Sequence, residues 1–189
     1  PYRSETEGLT FTPRKYMTDD QRHASKRKDV LTFTSEVLNN PISIAGEIKA
    51  YLKVAMTGTD ADFVVKIIDQ YPEDHVNYAH NSENIQMGGY QQLVRAEVIR
   101  GRFRESFEFP KPFKPNQKTA VNLKLQDILH TFKKGHRIVI QLQSSWFPYI
   151  DRNPQNYVSN IFEAEASDFT KSTISIYGDS MIELGGQVQ

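Results

Sequence analysis

Over most of this chain apolar and polar residues alternate with a period of two, the mark of strands buried on one face. Leu31 and Phe33 share a face within residues 29–35, and the turn-formers Asn39, Asn40 and Pro41 close that stretch. The alternation is longest over 42–56, where Ile48, Ala50, Leu52, Val54 and Met56 fall on one side and Lys49, Tyr51 and Lys53 on the other. Gly46 is the natural place for a kink. Residues 63–69 are apolar on both faces and predict a central strand. Further strands are predicted at 92–99, at 121–126 and at 137–142, where Ile138, Ile140 and Leu142 alternate with Arg137, Val139 and Gln141. A last hairpin is expected from 172–177 and 181–184 around Gly178 and Asp179. The single helical expectation is 127–134, with Asp127 as N-cap and Gly135 as the stop. Residues 1–28 lack a periodic apolar pattern and predict an extended arm lying on the body, and 71–89 predict a surface loop. Prolines at 110, 112 and 115 force an extended segment. This succession of strands with almost no helix predicts an all-β fold, an antiparallel two-sheet jelly-roll sandwich over 29–189 preceded by the 1–28 arm.

Composition narrows the classes of function. A chain of 189 residues buries a good core in one domain. Lys plus Arg equals Asp plus Glu at 23 each, so there is no overall field to draw in nucleic acid or an anionic membrane, and neither is expected as a partner. The absence of Cys excludes disulfides, a thiolate nucleophile and Cys-based zinc sites. No apolar run approaches the roughly 18 residues of a membrane span. Pro1-Tyr2-Arg3-Ser4-Glu5 is not a signal peptide, and without an initiator Met the chain reads as a mature form or a fragment.

Few residues carry candidate chemistry. His23, His75, His80, His130 and His136 are scattered, with no pair at the helical spacing of a zinc enzyme, and His136 at a strand entry predicts a structural hydrogen-bonding role. Asp60 with Asp62, and Glu73 with Asp74, lack the dense alternating oxygens of a calcium loop and predict solvated turns. Arg95, Arg100, Arg102 and Arg104 could hold phosphate, but the even-numbered three fall on one strand face where opposite carboxylates can pair them. No catalytic, cofactor-binding or metal-binding residue is expected, and no cofactor. One loop gathers more chemistry than a connection needs: Trp146, Phe147, Tyr149, Asp151, Arg152 and Asn153, just after the 137–142 strand. Such aromatics beside planar polar groups suit stacking on a sugar or peptide, or capping of the core.

Five separated stretches carry a family resemblance. They are 27–36, 46–50, 62–69, 89–107 and 133–154, in that order. Together they resemble the C-terminal domain of the cocaine-esterase-like hydrolases, which include Xaa-Pro dipeptidyl peptidases, α-amino-acid ester hydrolases and glutaryl-cephalosporin acylases. The resemblance implies a jelly roll of the galactose-binding-domain-like type, accessory to a serine hydrolase acting on α-amino acyl esters, amides or Xaa-Pro peptides. The segment Gly89-Tyr90-Gln91 to Arg104 resembles the ester hydrolase and acylase branch most. In this family the nucleophilic Ser and its partners belong to a preceding α/β-hydrolase domain, and no Gly-x-Ser-x-Gly occurs here, so no catalytic residue carries over. The implied partner is that catalytic domain, with 1–28 as the linker from it; family analogy implies an extracytoplasmic location. The Trp146 loop then gains a third role, docking on the catalytic domain, which would leave Trp146 and Phe147 partly exposed in the isolated chain. A free-standing carbohydrate-binding module is the alternative, though a solitary Trp is sparse for a sugar platform.

Overall fold

The computed structural model describes residues 15–81 and 85–188. Among them are eight strands: β1 Val30–Thr34, β2 Ile42–Met56, β3 Asp62–Gln70, β4 Gln91–Arg100, β5 Thr119–Phe132, β6 Arg137–Gln143, β7 Ile174–Ile176 and β8 Met181–Val188. Every pairing is antiparallel. One sheet runs β1-β6-β3-β4 and the other sets β5 on one edge of β2 and β7 and β8 on the other. The chain changes sheets after β1, β2, β4, β5 and β6, which wraps it around the core in jelly-roll fashion.

The expected alternation builds the interior. Ile48, Leu52 and Val54 of β2 and Val121, Leu123 and Leu125 of β5 meet Phe63, Val65 and Ile67 of β3 between the sheets. Each such side chain contributes roughly 1.5–3 kcal/mol by leaving water. β3 is buried on both faces because a third layer covers its outer side. That layer is the arm, which is not extended in its described part but forms two single turns, α1 Lys15–Thr18 and α2 Arg22–Ser25. Met17, Gln21 and Ala24 are buried there. The Gln21 amide donates to the Gln91 carbonyl at 2.9 Å, and Asp20 bridges to Gln92, so the arm also closes the outer edge of β4. The remainder of the expected arm, 1–14, lies outside the described residues.

Two expectations are corrected. Residues 127–132 are not helical; they continue β5. The pairing of β2 with β5 shifts between Gly46 and Ile48, so that Gln126 and Asp127 bulge out of register. Past the bulge the buried positions move from Leu125 to Ile128 and Phe132, a spacing of three and four that imitates a helix. Gly46, at φ +102°, supplies the left-handed backbone of that irregularity. Secondly, β7 and β8 form no hairpin. Both pair antiparallel with the long β2, at Val54–Met56 and at Ser43–Tyr51, and lie end to end along its edge.

Candidate functional site

β6 delivers the chain to the loop singled out in the sequence, and the structure splits that loop into an inside and an outside. Trp146 turns back onto the outer face of the β1-β6-β3-β4 sheet, 7% exposed, against Met17 and Val64. This corrects the expectation of a partly exposed Trp146: the indole caps the third layer. The Lys66 ammonium nitrogen lies 4.5 Å from the indole centroid and donates to Gln21 Oε1 at 2.8 Å. Burial lowers Lys66 from its ordinary value to about 7, with Arg27 adding to the effect. The Ile150 amide donates to the Trp146 carbonyl at 3.1 Å and closes the turn. Phe147 and Tyr149 stay outside at 38% and 53% exposure. Tyr149 packs on Trp146 at 4.7 Å between centroids, and Arg152 lies over both Phe147 (5.2 Å) and Phe169 (5.9 Å). Phe169 is 42% exposed, and Asp151 is exposed beside this group. The outcome is an aromatic ridge of Phe147, Tyr149 and Phe169 topped by a guanidinium.

Asn153 leads the chain back inside and anchors it. Its Nδ2 donates to Asp62 Oδ1 at 2.9 Å, and its Oδ1 accepts from the Gln155 amide at 2.9 Å. Asp62 also accepts from Arg100 Nε at 3.1 Å, the residue directly opposite it in the β3–β4 ladder. Burial pushes the Asp62 carboxyl up, against the opposing pull of Arg100 and Asn153. Asp60 accepts from Arg102 Nε at 2.8 Å, while Arg102 Nη1 donates to the Val158 carbonyl at 2.7 Å and the guanidinium stacks 4.4 Å from the Tyr157 centroid. Asp60 and Asp62 are thus buried, arginine-paired carboxylates and not the solvated turn expected of them. Arg102 reaches Asp60 from a 3-10 turn, Gly101–Phe103, that begins with no room for a side chain: a Cβ at Gly101 would stand 2.6 Å from the Phe113 ring. Arg104 donates to the carbonyls of Gly101, Lys111 and Pro112, and Arg95 to that of Asp127. The arginine series is therefore spent inside the fold.

The arrangement makes a rigid mount. Carboxylates neutralised by arginines in a dry environment hold the loop still without offering an acid and a base. At the other end of the sandwich, His136 Nδ1 and His130 Nε2 lie 2.7 and 2.9 Å from the two oxygens of Asp69, so that His136 has the structural role expected of it. Among the described residues no three His, Asp or Glu side chains are grouped to hold a metal ion. Sequence reasoning missed Phe169, an isolated aromatic with no local signal, and Lys66, hidden in an otherwise apolar strand.

Residues 4–183 match the family model of the X-Pro dipeptidyl-peptidase C-terminal non-catalytic domain. Over 134 residues the chain is 31% identical to cocaine esterase of Rhodococcus sp. (strain MB1 Bresler), covering 71% of this chain and 21% of that protein. An α-amino acid ester hydrolase of known structure superposes with a TM-score of 0.82 at 44% identity, covering 89% of this chain and 27% of that one. An aminopeptidase from a marine sediment archaeon, Thaumarchaeota archaeon, does so with a TM-score of 0.78 at 43% identity, covering 85% and 25%. The chain thus spans between 21% and 27% of the length of these relatives. With nearly its whole length inside the family model, the chain belongs to the X-Pro dipeptidyl-peptidase C-terminal non-catalytic domain family.

Proposed function

We propose that this chain serves as the non-catalytic C-terminal domain of a serine α/β-hydrolase acting on α-amino acyl esters, amides or Xaa-Pro peptides. It docks on the catalytic domain through Phe147, Tyr149, Asp151, Arg152 and Phe169, with Trp146 and Asn153 fixing the ridge from within. The observation that carries the assignment is the match of 4–183 to a non-catalytic domain whose relatives are three to four times longer. The docking surface is supported by its chemistry. Three neighbouring aromatics and an Arg on an immobile base have the composition of an interface centre, and a free domain has no reason to keep them in water. The carbohydrate-binding alternative gains nothing from the structure, because Trp146, the one Trp of the chain, is buried and cannot stack on a sugar.

A chimera tests the docking. The matching part of the α-amino acid ester hydrolase is replaced by this chain, and Phe147→Ala/Tyr149→Ala is introduced both there and in the isolated domain. Docking predicts that the double variant lowers the melting temperature and activity of the chimera by more than it lowers the stability of the isolated domain, where losing the Tyr149–Trp146 and Phe147–Arg152 contacts should cost about 1–3 kcal/mol. A chimera indifferent to the double substitution removes the ridge from the interface.

A further inference from the structure

The end of the sandwich opposite the aromatic ridge holds a cavity of about 470 Å³, within the size range of small-molecule sites. Its walls include Tyr71, Tyr78 and Tyr90, with Asp19, Gln92 and Leu93 beside them. The rings are held in place. Tyr71 donates its hydroxyl proton to Gln92 Oε1 at 2.7 Å and packs against His136 at 4.7 Å and His75 at 4.9 Å. Tyr90 stands 5.9 Å from Tyr71 at 59°, and Tyr78 meets His75 edge-on at 5.6 Å. Tyr78 also stacks on His80 at 5.6 Å and 8°, and a wall with this many aromatic rings offers faces on which a cation rests.

Two consecutive carboxylates at this site have opposite fates. Asp20 is consumed: Oδ2 accepts from Arg22 Nε at 2.7 Å, and Oδ1 from the amides of Arg22 (3.1 Å) and Gln91 (3.3 Å). Asp19 lines the cavity, and its carboxylate has no hydrogen-bond or ion-pair partner among the described residues. The nearby cation, Arg22, already serves Asp20 and the carbonyls of Gly88 (2.8 Å) and Gln86 (2.9 Å), and its guanidinium lies 5.9 Å from the Tyr90 centroid, so that one face of Tyr90 already carries a cation. Burial, and then the Asp19 and Asp20 carboxylates, push the Tyr90 phenol up; burial does the same to Tyr71. Both rings therefore stay neutral at neutral pH, and among the described residues of the cavity wall the carboxylate left without a partner is that of Asp19. A neutral sugar would use the rings and leave that charge unanswered.

We propose that this cavity binds an alkylammonium group, with Asp19 as the counter-charge and Tyr71, Tyr78 and Tyr90 as the aromatic walls. The ammonium belongs either to a small amine or to a lysine side chain of a partner. The assignment is independent of the docking role given to the Trp146 end.

The chain is titrated with n-butylammonium chloride, and the ring resonances of Tyr78 and Tyr90 are followed by NMR. Saturable shifts with a Kd of roughly 1–10 mM are expected. They are absent with n-butanol or with equal sodium chloride, and binding weakens at least about tenfold in Asp19→Asn. Tyr78→Leu, which leaves the charge in place, should weaken binding too. Both positions are partly exposed, and unchanged urea midpoints confirm that the variants fold. Equal shifts with n-butanol, saturation by galactose in place of the amine, or full binding by Asp19→Asn overturns the proposal. Comparing n-butylammonium with Nα-acetyl-lysine methylamide separates the sources: tighter binding of the lysine derivative assigns the pocket to a partner's lysine, and the reverse to a free amine.

Discussion

Lys66→Met asks what it costs to bury a lysine under the arm. Lys66 is 1% exposed, and among the described residues no carboxylate pairs with it; its partners are Gln21 Oε1 and the Trp146 ring. Its folded value of about 7 lies below the unfolded 10.5, so folding opposes protonation. The sign follows from linkage: the penalty is fully present below pH 7 and fades as pH rises from about 7 to 10.5. At ~1.4 kcal/mol per pKa unit, the gap corresponds to at most about 4–5 kcal/mol at pH 7, and to about 1 kcal/mol at pH 10. Methionine removes this penalty but orphans Gln21 Oε1, at about 1–3 kcal/mol, and loses the cation–π contact, about 0.5–2 kcal/mol. Lys66→Met should therefore be more stable than the parent at pH 7 by about 1–2 kcal/mol, and less stable at pH 10 by a similar amount. Urea unfolding of both proteins at the two pH values reads the difference, with other titrating groups cancelling between them. A difference that does not change with pH would refute the reasoning.

Trp146→Ala should cost the domain about 3–5 kcal/mol in urea unfolding, as for a buried aromatic truncated in a core; a loss below about 1 kcal/mol would return the indole to the surface. Arg102→Ala should cost about 3–5 kcal/mol by leaving the fully buried Asp60 unpaired. The pair Asp60→Ala/Arg102→Ala should lose less than the two single variants added together, and strict additivity in that cycle would show that the ion pair is not coupled.

Much of the sandwich is legible in the sequence because one-sided burial writes a period of two into a strand, as Ile48 to Met56 and Val121 to Leu125 show. The pattern misleads where the structure breaks the period. The bulge at Gln126 and Asp127 advances the buried phase by one residue and makes Leu125, Ile128 and Phe132 look helical. The supposed hairpin around Gly178 fails for a different reason: a turn signal says that the chain changes course, and β2 is long enough to accept both following segments on one edge. At the candidate site the sequence marks a loop but cannot sort its residues into inside and outside. Whether Trp146 lies inside depends on Met17 and Lys66, far away in the chain. Whether Asp60 and Asp62 are wet depends on Arg102 and Arg100, some 40 residues on. Asp19 and the tyrosines of the opposite cavity come together only because the arm pairs with the edge of β4.

That this chain is a domain without catalytic machinery is tested most directly by assaying the purified protein with p-nitrophenyl esters and Xaa-Pro anilides. No turnover above buffer is expected, since no Gly-x-Ser-x-Gly elbow occurs in the sequence, and of the buried acids Asp60 and Asp62 are committed to arginines and Asp69 to His130 and His136. Turnover by the pure chain that a serine-directed phosphonate abolishes would contradict it.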